Sequence, residues 1–209
     1  MKKEYLLDAN DAFKKMVFGW LLPNLRCLHV IPMITNDPNV WTAAHWDLYA
    51  QLFGIPASSV LARQSQFTNA IRVNYFSALP KANSSVLCAN ADLFLDPDGG
   101  LTDTGGGDTH VNAAEVADLL RGSDRVAIVY QHSNRDKGQI AANLKKHCCN
   151  IQKALQQNNP QQNNQTLHTF GIHGASICLF FFSLDQGRLN VLKAICVHQF
   201  GPMKSDRVI

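Results

Sequence analysis

Two carboxylates, Asp96 and Asp98, flank Pro97 at the end of an apolar run and are followed by Gly99 and Gly100. Acids this close together suit general acid–base work or, as hard oxygen ligands, a Mg²⁺ ion. Pro97 fixes its own φ and biases Asp96 toward extended backbone, while the glycines give the turn access to positive φ. Such a turn is able to aim one carboxylate into a crevice, although Asp, Pro and Gly are equally the residues of an ordinary surface turn. Tyr130-Gln131-His132, with Asn134 and Arg135 after it, stands just past a second apolar run. Gln131 both donates and accepts hydrogen bonds, which suits a neutral polar ligand; His132 suits a base or a phosphate contact. A third group, Asp8-x-x-Asp11-x-x-Lys14, spaces its charges for neighbouring faces of one helix. It reads either as a solvated helix start with a surface ion pair or as a rim helix over a pocket.

The elements that must position these groups follow from periodicity and punctuation. A helix is predicted from Asp8 to Leu22, with Asp8 as N-cap and Pro23-Asn24 as its stop. Cys27 to Ile34 reads as a buried strand, and Thr42 to Phe53 as a helix stopped by Gly54. Ile71 to Phe76 fits a short strand or a piece of helix. Val86 to Leu95, apolar apart from Asn90 and Asp92, reads as a central strand, followed by a loop from Thr102 to Thr109. Asn112 to Leu120 is a capped helix, Arg125 to Tyr130 a strand, and Gln139 to Gln156 a helix with Lys145, Lys146, His147 and Lys153 on a basic face. Gln156 to Gln165 is almost all Gln and Asn, and a mobile loop is expected there. Thr166 to Ile172 and Ser176 to Leu184, separated at Gly174, predict an antiparallel hairpin, and Asn190 to Phe200 a last helix or an edge strand.

Strands that alternate with helices predict an α/β fold. The expectation is one domain over residues 1–209: a three-layer sandwich, Rossmann-like, with a mostly parallel sheet and a C-terminal antiparallel hairpin. In such sheets ligands bind beyond the carboxyl ends of the strands, where the Asp96 and Tyr130 groups fall.

Three short blocks carry a resemblance. Asp8-Ala9-Asn10-Asp11-Ala12-Phe13-Lys14, Leu93-Phe94-Leu95-Asp96-Pro97-Asp98-Gly99-Gly100-Leu101 and Ile128-Val129-Tyr130-Gln131-His132 occur in this order. Together they resemble a bacterial and phage protein family with blocks of the form D-x-x-D-F-x-K-Y-G-L-L, F-F-D-P-D-N-G-L and V-I-Y-Q-H. The same order of parts resembles adenine-directed nucleic-acid methyltransferases of class I fold. Those carry D-x-x-K on an early helix, here Asp11-Ala12-Phe13-Lys14, and an Asp-Pro-Pro-aromatic turn after a central strand, here Asp96-Pro97-Asp98-Gly99. The resemblance implies S-adenosylmethionine as cofactor and a nucleic-acid substrate. Two departures stand against that: Asp98 and Gly99 replace the proline and the aromatic ring, and Thr35-Asn36-Asp37-Pro38 stands where a Gly-x-Gly turn would follow the first strand.

Bulk composition narrows the classes only a little. A chain of 209 residues with 46% hydrophobic and 17% charged residues has the make-up of an ordinary globular protein. A formal charge of +3 permits a nucleic-acid partner without indicating one. The opening Met1-Lys2-Lys3-Glu4-Tyr5 lacks the form of a signal peptide, and Met16 to Leu22 is too short to cross a bilayer before Pro23. A cytoplasmic protein without a membrane partner is therefore expected. None of the six cysteines forms a Cys-x-x-Cys pair, so reduced thiols are expected; the adjacent Cys148 and Cys149 are poor joint ligands for one zinc ion.

Three functions compete on these residues. In a methyltransferase-fold enzyme, Asp96 faces the reacting group, Gln131 and His132 line the pocket and Lys14 closes it. Asp8, Asp11, Pro97, Gly99, Tyr130 and Arg135 are further binding candidates, and Asp98 a further catalytic one. In a metal-dependent nuclease or phosphodiesterase, Asp96 and Asp98 hold Mg²⁺, with His132 or Arg135 on the phosphate. Against this, Gln131-His132-Ser133 stands where the acidic-x-Lys partner of a common nuclease signature is required. In the third reading the scaffold binds a ligand or partner without catalysis.

Overall fold

The computed structural model describes residues 6, 8–32, 42–56, 91–103, 110–132, 139–157 and 165–209. Helix α1 spans Ala9–Leu21 and is capped by Asp8, whose Oδ1 accepts from the amides of Asn10 at 2.8 Å and Asp11 at 2.9 Å. Pro23 ends it in a 3₁₀ turn, Leu22–Asn24. Strand β1 is His29–Pro32; Cys27, expected to begin it, instead turns the chain at φ +43°. Helix α2, Ala43–Phe53, starts at Thr42 and is closed by Gly54 in the left-handed conformation.

Strand β2 is Leu93–Asp96, so Asp96 is the last residue of the strand. The Asp-Pro-Asp-Gly turn then leads into a short strand, β3 (Gly100–Thr102), which pairs in parallel with β4 (His110–Asn112). No strand was expected at either place; the two flank the Thr102 to Thr109 stretch read as a loop, of which only Thr102 and Asp103 are among the described residues. Helix α3 is Ala113–Leu120 with Asn112 as N-cap, and β5 is Ala127–His132. Gln131 and His132 are thus strand residues and not the start of a loop, because both pair with the neighbouring strand, opposite Cys178 and Ile177. Helix α4 is Ile140–Gln157, β6 His168–His173, β7 Ile177–Ser183 and α5 Gln186–Phe200. A 3₁₀ segment, Pro202–Arg207, follows. The segment expected to be Ile71 to Phe76 and most of the Gln/Asn-rich stretch lie outside the described residues.

The main sheet has five strands in the order β1-β2-β5-β7-β6. β1, β2 and β5 run parallel, with Pro32 opposite Asp96 and Leu95 opposite Val129. β7 is antiparallel to both β5 and β6. The expected hairpin is present, and its second strand takes the place next to β5.

Side chains alternate across the sheet. Val30, Phe94, Ile128, Tyr130, Leu179 and Phe181 belong to one core cluster with residues of α1, α2 and α5. Ile31, Leu93, Leu95, Val129, Phe180 and Phe182 belong to a second with residues of α3 and α4. Phe94 is clamped by Phe18 of α1 and Phe53 of α2, with ring centroids 4.8 and 5.3 Å away. Burying an aromatic ring of this size contributes roughly 2–3 kcal/mol, so the packing fixes α1 and α2 over the β2 strand end.

The opposite end of β2 is fastened by Asp92, which is fully buried. Its carboxylate accepts from the amides of Arg26 (2.7 Å) and Val126 (2.8 Å) and, bidentately, from the Arg188 guanidinium (2.9 and 2.7 Å). This explains an acid inside an otherwise apolar run: it ties β2, β5 and α5 together. Among the described residues no helix is long and apolar enough to cross a membrane.

Candidate functional site

The buried stripe of α1 is Leu21, Phe18, Val17, Lys14 and Asp11. Positions 11, 14, 18 and 21 recur with the helical period, so the apolar face that packs on the sheet continues into two charges at its N-terminal end. Those charges meet the carboxyl end of β2. Lys14 Nζ donates to Asp96 Oδ1 at 2.9 Å and lies 3.0 Å from Oδ2, and it reaches Asp11 Oδ1 at 3.1 Å. Its ammonium also sits 4.6 Å from the centre of the Tyr130 ring. Lys14, Asp11 and Asp96 are each at most 4% exposed. Of the two readings of this helix start, the solvated surface ion pair is excluded, because the charges form a buried triad. Burial alone would lower the Lys14 pKa, but the Asp96 and Asp11 carboxylates outweigh it and hold the group above its ordinary value.

Tyr49 of α2 approaches Asp96 from the other side, and its hydroxyl donates to Oδ2 at 2.7 Å. Asp96 consequently accepts from an ammonium on both oxygens and from a phenol on one. A carboxylate held in this way is a fixed anchor, with little capacity left to act as a general base or to ligate a cation.

A pocket of ≈ 290 Å³ opens beside this triad, lined by Asp8, Asn10, Asp11, Lys14, Asp96, Pro97, Asp98, Tyr130 and His132. Eight of the sequence-derived candidates thus converge on one cavity. Asn10 was not among them; its Oδ1 accepts from Ser176 Oγ at 2.7 Å, which ties α1 to the β6–β7 turn. Leaving the histidine aside, four carboxylates face one ammonium, a formal charge of −3 on the lining.

His132 Nε2 lies 2.7 Å from the Asp98 carbonyl oxygen and Nδ1 lies 3.2 Å from the Tyr130 hydroxyl. A carbonyl only accepts, so Nε2 carries a proton and donates to it, while Nδ1 is within hydrogen-bond distance of the Tyr130 hydroxyl. Burial, followed by the negative charge of Asp96, Asp8, Asp11 and Asp98, raises the Tyr130 pKa far above its ordinary value, so Tyr130 remains a phenol. The result is a chain of contacts from Asp96 through Lys14, Tyr130 and His132 to the backbone of the Asp98 turn.

Among the described residues, two candidates do not join the pocket lining. Gln131 points to the other face of β5, as strand alternation requires, and its Oε1 accepts from the Leu101 amide at 2.6 Å. It braces β3 and does not contact the cavity. Gly99 packs under the His110 imidazole, and a Cβ there would collide with that ring. Gly100 has φ +82°, and a Cβ on it would collide with the Gln131 amide. Arg135 lies outside the described residues, as does the Thr35-Asn36-Asp37-Pro38 turn after β1.

Tyr49 carried no signal in the sequence, because a tyrosine in an amphipathic helix reads as core. Lys14 and Asp11 did carry one, the period shared with Phe18 and Leu21. The basic face assigned to α4 is also changed: His147 is buried, and burial lowers its pKa toward the neutral form. Among the described residues no group of three or more His, Cys, Asp or Glu side chains is placed to hold a metal ion.

Comparison with known proteins adds no relative: no protein-family model, no curated protein and no solved structure matches the chain.

Proposed function

We propose that this chain is a methyltransferase-fold enzyme that binds S-adenosylmethionine or a related nucleoside at the Asp96 pocket, with a nucleic-acid base as the acceptor class. The observation that carries the reading is the bond between Lys14 and Asp96, 82 residues apart in sequence. It joins the early D-x-x-K helix to the Asp-Pro turn, and Tyr130 and His132 of the third block complete the same wall. The pocket also lies beyond the carboxyl ends of parallel strands, where α/β sheets bind ligands. The strand order, the hairpin and the two core clusters support a Rossmann-like three-layer sandwich. The resemblance to the bacterial and phage family belongs to this proposal.

The residues fit the cofactor by charge. A lining with a formal charge of −3 favours a sulfonium or an ammonium and repels phosphate. When bound, the cofactor supplies an activated methyl group. The chain's own residues do the positioning: Lys14 fixes the Asp96 carboxylate, the Tyr130 ring forms a wall, and His132 holds the Asp98 carbonyl at the mouth. The same charge keeps a nucleic-acid backbone outside the pocket.

The same features weigh against a Mg²⁺-dependent phosphodiesterase, because the oxygens of Asp96 already hold Lys14 and Tyr49. A different observation favours a binding protein without catalysis. The volume of ≈ 290 Å³ falls just below the range of ligand pockets, about 300–1,000 Å³.

Thermal denaturation with S-adenosylmethionine, S-adenosylhomocysteine, Mg²⁺ and Mn²⁺ added separately tests the reading. A ligand at ~100 times its Kd adds about 2.7 kcal/mol, or roughly 5–10 °C at this chain length. A rise with the adenosyl compounds alone supports the enzyme reading. A rise with metal alone supports the phosphodiesterase, and no rise leaves the non-catalytic scaffold.

A further inference from the structure

Tyr49 is fully buried on α2, which contributed no candidate site residue from the sequence, and donates its hydroxyl proton to Asp96 Oδ2 at 2.7 Å. The buried triad explains why a hydroxyl is needed there. Two carboxylates, Asp11 and Asp96, share one ammonium, so the group carries an excess negative charge away from water. Such a charge requires further donors. Lys14 cannot supply them alone: its protons are divided between Asp11 Oδ1 and the two oxygens of Asp96. The Tyr49 hydroxyl is a neutral donor, and it comes from a different helix than Lys14. The Asp96 carboxylate is therefore held from α1 and α2 at once, which sets the angle of its plane.

We infer that Tyr49 is a positioning residue for the pocket: by fixing Asp96 it fixes the Lys14 ammonium over the Tyr130 ring, and so the shape of the ligand-facing wall. Without the hydroxyl, Oδ2 depends on Lys14 alone. The ammonium is then drawn toward Asp96, away from Asp11 and from the ring 4.6 Å beneath it. The inference rests on the Asp96 pocket being the adenosyl-ligand site proposed above.

Tyr49→Phe keeps the ring that packs on Phe53, with centroids 5.1 Å apart, and removes only the donor. The test measures the affinity of wild type and Tyr49→Phe for S-adenosylhomocysteine by calorimetry, beside the ligand-free melting midpoint. A purely structural tyrosine lowers the midpoint and leaves affinity alone. A positioning tyrosine weakens binding at least tenfold while the variant remains fully folded at the assay temperature. Affinity within twofold of wild type overturns the inference.

If wild type binds no adenosyl ligand, the proposed function fails, and Tyr49 is judged on Lys14 directly. Solvent exchange of the Lys14 ammonium protons, followed by NMR on ¹⁵N-lysine-labelled protein, accelerates at least fivefold in Tyr49→Phe if the hydroxyl fixes the triad. An unchanged exchange rate overturns the inference. Should Tyr49→Phe not fold, 3-fluorotyrosine at position 49 keeps the ring and strengthens the donor. A change of at least threefold in the same exchange rate supports the role, and no change overturns it.

Discussion

Lys14 Nζ contacts both carboxylate oxygens of Asp96, at 2.9 and 3.0 Å, and bridges to Asp11 Oδ1 at 3.1 Å. All three side chains are buried, so breaking the ion pair costs more than forming it contributes. Removing one partner strands charge in a medium that solvates it poorly.

Lys14→Met should therefore destabilise the fold by about 3–5 kcal/mol, because it leaves two buried carboxylates facing each other. Adding Asp96→Asn to that variant should restore part of the loss. Urea denaturation of the two single variants and the double variant gives the coupling. A cost below about 1 kcal/mol for Lys14→Met would show that the triad is solvated and not buried.

Asp92 and Asp96 lie near opposite ends of one strand and should separate stability from binding. Asp92 holds backbone amides and Arg188 far from the pocket. Asp92→Asn should cost about 3 kcal/mol or more in stability, from the loss of a buried ionic acceptor. Ligand affinity, measured well below the melting midpoint, should stay within a factor of two. A selective loss of affinity would place Asp92 in the functional machinery.

Much of this architecture was legible in the sequence. Asp8 as a cap, Gly54 as a stop, Asn112 as a cap and the hairpin around Gly174 are local signals, decided within a few residues, and each stands in the structure. The approach of the Asp96 and Tyr130 groups was legible from strand alternation with helices. Depth of burial was not. Lys14 and Asp11 look like surface charge until the stripe through Phe18 and Leu21 is followed to the helix start. Gln131 was misplaced because it was read as the first residue of a loop, free to point anywhere. As a strand residue it must face away from Tyr130 and His132. Tyr49 was invisible because its partner is 47 residues away and nothing local distinguishes it from a core ring.

Gln131→Ala tests that correction. It removes the acceptor of the Leu101 amide and should cost about 1–2 kcal/mol, with ligand affinity unchanged. Gly100→Ala should cost at least as much, because its φ of +82° and the Gln131 amide both oppose a side chain. Chemical denaturation and ligand titration on each variant read the two effects separately. A ligand-binding defect in Gln131→Ala would return Gln131 to the pocket.

Glu115 provides a pH test of the helix that follows β4. Its carboxylate accepts from the Asn112 amide at 2.8 Å, yet burial, aided by Asp118, raises its pKa from 4.5 to about 7. The folded state thus holds this proton more tightly than the unfolded chain. The contribution to stability is complete below pH 4.5 and is lost as the pH rises through about 7. Burial of His147 acts in the opposite sense, lowering its pKa, so stability is lost as the pH falls. Comparing wild type with Glu115→Gln cancels the histidine. The stability of wild type relative to the variant should fall by about 1–2 kcal/mol across that window, after discounting for partial exposure. A flat difference would mean that Glu115 titrates normally.

The most direct test of the central claim is amide chemical-shift mapping of ¹⁵N-labelled protein titrated with S-adenosylhomocysteine. Saturable shifts are expected to concentrate on Asn10, Asp11, Asp98, Tyr130 and His132, with Arg26, Asp92 and Arg188 at the far end of β2 unmoved. Shifts centred on that far end, or none at saturating ligand, would contradict the assignment of the Asp96 pocket as the adenosyl-binding site.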